Sequence, residues 1–337
     1  MPDRPRLTPA IADVRRAVRG ALEGMPADSL VLVALSGGAD SLALAAATAF
    51  EAPRARLRAG AVIVDHGLQH GSAQVASGAA EQARALGLAP VRVERVEVAA
   101  PVAGNGGPEA AARAARYAAL ERVAAESDAV AVLLAHTLDD QAETVLLGLV
   151  RGSGAASLQG MPAERGIFRR PLLGIRRRTT VQACADAGLE PWSDPQNADP
   201  AFTRVRVRQT VLPLLEAELG PGVADALART ADQLREDTAA LDSLAEELAE
   251  DLAEHAEAGI SVDARALAAN PPALRQRLIR LAVASEFGVA LSRQQTLEVA
   301  RLVTDWHGQS SVDLPGVRVV RRDGRLLFEA KGTDGTA

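Results

Sequence analysis

Hydrophobic runs and amphipathic stretches alternate through the first 190 or so residues of the chain. Strands are expected over Leu30 to Leu35, Ala59 to Asp65, Val91 to Val98 and Ala129 to Ala135; all but the third, whose valines are interleaved with charged residues, are nearly unbroken runs of valine, leucine, isoleucine and alanine. Strands covered on both faces read this way, because neither face needs polar residues. Between these runs lie patterns of helical period: Ser41 to Phe50, Ser72 to Leu86, Pro108 to Glu126 and Asp139 to Val150. The spacing predicts βαβ crossovers and an α/β fold with a doubly wound, mostly parallel sheet. Ligands of such sheets bind beyond the carboxyl ends of the strands. Three polar clusters stand at such ends: Ser36 to Ser41, Asp65-His66-Gly67, and His136 to Glu143.

After Pro213 the pattern changes. Leu227, Leu234, Leu241, Leu244, Leu248 and Leu252 recur at helical spacing among acidic residues, which predicts one long amphipathic helix or two joined ones. Further helices are expected over Pro272 to Glu286 and Ser292 to Thr304. The segment Ser311 to Ala330 reads as a β-hairpin turned at Asp323-Gly324. These patterns suggest a catalytic α/β domain over residues 1–215 and a smaller, mostly helical domain over 216–331 that ends in the hairpin. Residues 332–337 are expected to form a disordered tail.

Composition narrows the choice of chemistry. With 48% hydrophobic and 24% charged residues, 337 residues suffice for packed cores in two domains. The single cysteine, Cys184, excludes a disulfide framework and any Cys-x-x-Cys metal or redox site, and reads as a small buried hydrophobe. There is no apolar run long enough for a membrane span and no signal peptide, so a cytoplasmic protein is expected. The net charge of −6 argues against a generic nucleic-acid binder, but its distribution is uneven. Residues 216–257 hold 13 acids and 2 arginines, a balance of −11, so the rest of the chain carries +5. Lys331 is the only lysine, which rules out a Walker A loop.

The string "ALSGGADSLAL", Ala34 to Leu44, places two glycines, two serines and an acid between a strand and a helix. Such a turn exposes backbone N–H groups at a helix N-terminus, where phosphate is the natural ligand. The Ser36 and Ser41 hydroxyls can add hydrogen bonds. Asp40 would repel phosphate unless Mg²⁺ bridged them. The alternative is a plain tight turn with Asp40 or Ser41 capping the helix.

Ser-Gly-Gly-x-Asp-Ser after a first strand resembles the pyrophosphate loop of the N-type ATP pyrophosphatases. The resemblance implies ATP cleavage between the α and β phosphates, with Ser36, Gly37, Gly38, Ala39, Asp40 and Ser41 on the phosphates and Asp65 and His66 at the base-binding edge. It also implies Mg²⁺ on Asp40. Further motifs follow in order: "VDHGLQHGS", "GGPEAAARAARYAAL", "LLAHTLDDQAETVLLGLVRGSG", "RRPLL" and "WSDPQNADPAFTRVRVRQTVLPLLE". Together they resemble the bacterial tRNA(Ile)-lysidine synthetases over roughly residues 30–216. Gln69 stands where that family usually has arginine, and Val205 where it commonly has asparagine.

The family resemblance implies adenylation of C2–O of the wobble cytidine in a tRNA(Ile) with a CAU anticodon, followed by attack of free L-lysine. Asp140 and Glu143, three apart on a helix, would hold the lysine ammonium; the bland alternative is helix capping at Asp139 or Asp140 and a solvated Glu143. His136 would position the nucleotide. In the set Glu109, Arg113, Arg116, Tyr117, Arg113 would stabilise charge at the reacting cytidine, against the alternative of a Glu109–Arg113 surface pair. Two arginine clusters, one including Arg165, Arg169, Arg170, Arg176, Arg177 and Arg178 and the other Arg204, Arg206 and Arg208, suggest a local RNA footprint. From these clusters and the Glu109 set, Arg116, Arg170, Arg176, Arg204, Arg206 and Arg208 are expected on tRNA. A homodimer is compatible with these patterns. The rivals are another adenylating enzyme with the same loop and a non-catalytic binder with a relict loop; a 2-thiocytidine synthetase would need more cysteines than one.

Overall fold

A computed structural model describes residues 7–65, 67, 71–96, 107–152, 154–256 and 259–331. The expected tail at 332–337, His66 and Gln69 lie outside the described residues. The chain divides into two compact units, one ending at Gln233 and one beginning at Leu234.

The first unit is built on six strands: β1 (Leu30–Ala34), β2 (Arg58–Asp65), β3 (Val91–Arg95), β4 (Ala129–Leu133), β5 (Glu164–Arg165) and β6 (Phe168–Arg169). Their order in the sheet is β3-β2-β1-β4-β6-β5. All neighbours run parallel except the short β5–β6 pair. The doubly wound, mostly parallel sheet expected from the run-and-period pattern is thus present.

Alternation along β1 shows why the strand is apolar throughout. Val31 and Val33 point into one core with Leu42, Leu44, Ala61, Ile63, Ala79 and Leu133. Leu30 and Leu32 point into the other with Val62, Leu120, Val123, Val132 and Phe168. The first core is covered by α1 (Pro9–Leu22), α2 (Ala39–Glu51), α3 (Ser72–Ala85) and, later in the chain, residues 177–186; the second by α4 (Gly107–Glu126). The strand order reverses between β1 and β4, and in such sheets ligands bind beyond the carboxyl ends of the strands at that point.

After β4 come α5 (Leu138–Val150), α6 (Ala155–Leu158) and α7 (Arg177–Asp186). Then α8 (Thr203–Arg206) runs through a π-helical turn at Val207–Val211 into α9 (Leu212–Glu218). Helix α10 (Val223–Leu252) is continuous over 30 residues, the longer of the two arrangements its leucine pattern allowed.

The second unit holds α11 (Ala264–Ala269), α12 (Pro272–Phe287) and α13 (Arg293–Thr304) with an antiparallel sheet ordered β7-β8-β11-β10-β9. Its strands are β7 (Ala253–Ala256), β8 (Gly259–Asp263), β9 (Ser311–Leu314), β10 (Val317–Arg322) and β11 (Arg325–Ala330). The expected hairpin is β10–β11, turned at Asp323 and Gly324 with φ of 50° and 76°. The sheet exceeds that expectation by three strands, β7 and β8 being short and poor in alternation.

One buried amide sets the path toward β5. Gln141 donates Nε2–H to the Met161 carbonyl at 2.8 Å and accepts from the Met161 N–H at 2.6 Å. Gly160 makes room for this with φ +61°; a Cβ there would lie 2.6 Å from Gln141 Oε1. Gly160→Ala is expected to destabilise the protein by about 1–3 kcal/mol, measured as a lower urea midpoint; an unchanged midpoint would refute this constraint.

Candidate active site

The loop after β1 is knit by its own hydroxyls. Ser41 Oγ donates to the Gly38 carbonyl at 2.9 Å and accepts the Ser36 N–H at 3.2 Å, while the Ser36 and Ser41 hydroxyls lie 3.1 Å apart. Gly37 has φ +84°, and its carbonyl accepts from Trp192 N–H at 2.9 Å. Gly38 is the N-cap of α2 and brings no side chain to it. The first-turn N–H groups beyond Ala39 are therefore not capped by the loop, as a phosphate cradle requires. Beside the loop lies a cleft of about 240 Å³ lined in part by Leu35, Val64, Asp65, Val75, Arg116 and Trp192. Asp65 at its edge accepts the Gly67 N–H at 2.9 Å.

At the end of β4, Thr137 caps α5 and its N–H and hydroxyl both donate to Asp140 Oδ2 at 2.8 Å. Asp140 therefore does cap the helix, but its other oxygen is turned to a group of arginines. There Arg177 Nη2 donates to Asp140 Oδ1 at 2.7 Å, Nη1 to Glu143 Oε1 at 3.3 Å, and Nε to Asp40 Oδ2 at 3.2 Å. Glu143 is fully buried, so it is not a solvated surface charge. Arg208 grips it with Nε and Nη2 at 2.7 and 3.0 Å, and Arg204 Nε donates at 2.8 Å. Three carboxylates and three guanidiniums thus form one cluster that joins the loop to α5, α7 and α8.

Burial works to raise the Asp140 carboxyl, yet the Arg177 charge and the Thr137 N–H outweigh it and hold it at about 2. For Asp40 burial prevails: its carboxyl is pushed up from the ordinary value, although Thr180 and Arg177 both bond to it. Burial, reinforced by the Arg170, Arg116 and Arg113 charges, drives His136 down to about 3 against the pull of Asp140, so the ring is neutral. Its Nδ1 is buried without a hydrogen-bond partner.

A second cavity, about 600 Å³, includes Arg113, Tyr117, Arg165, Phe168 and Arg170 in its wall. Arg113 is exposed and donates to the Tyr117 hydroxyl at 3.3 Å. Arg170 is buried, donates to the Pro162 carbonyl at 2.9 Å and reaches the same hydroxyl at 3.5 Å.

Of the residues singled out in the sequence, the loop Ser36 to Ser41, Asp140, Glu143, Arg204 and Arg208 lie in or beside one cluster. Asp65 and Arg116 border the first cleft, and Arg113 and Arg170 the second cavity. Arg176 pairs with Asp225 at 2.9 Å and Asp139 at 3.4 Å, and Arg206 turns to the Pro200 and Ala201 carbonyls. Val205 is buried, and the Glu109 side chain lies outside the described residues. Arg177 and Thr180, which bind Asp40, were missed as site residues. The run Arg176-Arg177-Arg178 looks like surface charge, and only its place at the start of α7, with Thr180 one turn on, hints otherwise. Among the described residues, protein side chains alone form no metal cluster of three histidine, cysteine or acidic groups. Asp40 can offer one carboxylate to a cation otherwise held by phosphate and water, which suits Mg²⁺.

Residues 12–215 match the PP-loop domain, and residues 263–327 match the TilS substrate binding domain. The tRNA(Ile)-lysidine synthase of Leifsonia xyli is 66% identical over 301 residues, covering 89% of this chain and 90% of that one. That of Thermobifida fusca is 55% identical over 326 residues, covering 96% and 98%. The chain belongs to the tRNA(Ile)-lysidine synthase family. A solved U34-tRNA thiolase from Methanococcus maripaludis with its [4Fe-4S] cluster shares the fold of this family member at 19% identity and a TM-score of 0.57, covering 67% of this chain and 80% of that one.

The low Asp140 value links the site to stability. A depressed carboxyl contributes stability that is full above its ordinary 3.8 and is lost as pH falls through about 2. The stability gap between wild type and Asp140→Asn should therefore be widest above pH 4 and narrow by about 2 kcal/mol toward pH 2. Denaturant titrations at several pH values would test this; a constant gap would mean the arginines do not hold the charge.

Proposed function

We propose that the chain is an ATP-dependent ligase that joins L-lysine to C2 of the wobble cytidine of a tRNA(Ile) with a CAU anticodon. One observation carries the proposal: the phosphate-binding loop and a buried acidic pair share a single charge cluster at the β1–β4 switch point. A ligase using ATP and an amine needs these two functions within reach of one reacting atom.

In this reading the adenosine occupies the cleft beside Asp65, and its phosphates lie on the uncapped N–H groups of α2 with the Ser36 and Ser41 hydroxyls. Mg²⁺, held by Asp40, would neutralise charge on the departing pyrophosphate. The cytidine O2 attacks the α-phosphate and pyrophosphate leaves. Arg113 and Arg170, in the second cavity, balance the negative charge that develops. His136, kept neutral, positions the nucleotide without adding a proton. The lysine ammonium is taken by Asp140 and Glu143; once it has given a proton to solvent, the amine attacks C2, the C2–O bond breaks and AMP leaves. Arg204 and Arg208 act through Glu143 by fixing its carboxylate, whereas Arg116, Arg176 and Arg206 remain candidates for the RNA itself. No helix among the described residues is long and apolar enough to cross a membrane. A tRNA substrate is consistent with work in the cytoplasm.

The direct test is transfer of labelled lysine into tRNA. Label should depend on Mg-ATP and disappear when the wobble cytidine is replaced; pyrophosphate release without label would mean a different nucleophile. Asp40→Ala is expected to lower pyrophosphate release at least about 100-fold, and near-normal turnover would refute the loop assignment. Glu143→Gln should raise the KM for lysine about tenfold or more while changing the KM for ATP little; equal losses would refute the division of roles.

A further inference from the structure

We infer that Arg177 is a resident cation that occupies the lysine site until phosphate draws it away, so that ATP binding prepares the acidic pair for the ammonium. This rests on the assignment of the lysine ammonium to Asp140 and Glu143. In the structure those carboxylates have no room for another cation. Asp140 Oδ2 is taken by Thr137, and Oδ1 by Arg177 at 2.7 Å with Arg208 at 3.4 Å. Both Glu143 oxygens are taken as well, by Arg177, Arg204 and Arg208. An ammonium added to three carboxylates and three guanidiniums would leave the partly buried cluster with an uncompensated positive charge, which is costly.

Among the three arginines, Arg177 is the one whose geometry allows departure. Arg208 binds Glu143 through a two-pronged fork, the strong arrangement. Arg204 is held on α5 alone, by Glu143, the Asp140 carbonyl and Thr144. Arg177 instead spends one nitrogen on each of three different carboxylates, and its backbone N–H is anchored separately on Asp139 at 2.7 Å. Its side chain can move without disturbing α7. It also bridges the acidic pair to Asp40, the acid of the phosphate loop. Phosphates arriving there present a stronger acceptor for a guanidinium, and a cation arriving on Asp40 competes for the same oxygen. A cation on Asp40 releases the Arg177 Nε contact, and the phosphates then draw the freed guanidinium off Asp140 and Glu143, which leaves the pair one positive charge short. Arg177 is thus a positioning residue that couples two substrates, and the coupling must be reciprocal.

The test is equilibrium dialysis of labelled lysine against the whole protein, with and without Mg²⁺ and a non-hydrolysable ATP analogue. Wild type should bind lysine at least about tenfold more tightly with the analogue. Arg177→Met should bind lysine more tightly than wild type without the analogue and gain less than about twofold from it. Arg177→Lys, which keeps a cation, should retain most of the wild-type coupling. Equal lysine affinity of wild type with and without the analogue, or full coupling in Arg177→Met, would overturn the inference. Asp140→Asn separates the two levels of the argument. If it binds lysine normally, the ammonium assignment itself is wrong; if it abolishes binding while Arg177→Met retains wild-type coupling, only the role of Arg177 is.

Discussion

Glu143 has no contact with water, and this single constraint organises the first unit around the end of β4. A buried carboxylate is tolerated only when charge and hydrogen bonds replace the lost solvent. Here the replacement comes from three arginines on two later segments, Arg177 at the start of α7 and Arg204 and Arg208 around α8. Removing any one leaves charge without a partner, so charge balance ties α5, α7 and α8 together beside the apolar contact of Leu138 and Ala142 with Val207 and Leu212. The same arginines then define what the site can accept next. Asp140 stays ionised because all three reach it, and Asp40 is tied in through Arg177.

The sheet makes that convergence available. β1 and β4 are adjacent and parallel, and Val33 lies beside Leu133. The two strands therefore end at the same level, and the loop after one must face the helix after the other. Because apolar residues fill both faces of β1, no polar group is needed within the sheet, and polarity is concentrated at the strand ends. Phosphate chemistry at the first loop and acid chemistry at the second helix follow from where the strands stop.

The parallel strands, their helices and the loop were legible because each writes its physics locally: continuous apolar runs, a 3.6-residue period, and glycines where a left-handed turn is needed. Asp140 and Glu143 were legible as a pair because three residues make almost one helical turn. What local pattern does not carry is partnership over long separations. Arg177 lies 137 residues from Asp40 in the chain, and a run of three arginines looks the same whether solvated or buried. Arg204 and Arg208 carried charge that suggested RNA, yet their guanidiniums are turned onto Glu143. β7 and β8 escaped notice because Ala253–Ala256 has no alternation and its pairing with Gly259–Asp263 is a property of the sheet.

The fold alone does not choose the chemistry, since a thiolase with an iron–sulfur cluster shares it. The side chains do. A cluster of that kind needs several cysteine thiolates, and this chain has one cysteine. Cys184 sits under the loop with its thiol toward the Ala39 carbonyl at 3.5 Å, and burial pushes it up to about 11. A thiol so held is protonated at neutral pH and cannot serve as a nucleophile or ligand. Where sulfur chemistry would need thiolates, this protein has buried carboxylates matched by guanidiniums, a combination suited to exchanging one cation for another. On the proposed reading, an amine is the nucleophile for an intermediate activated by ATP at the neighbouring loop.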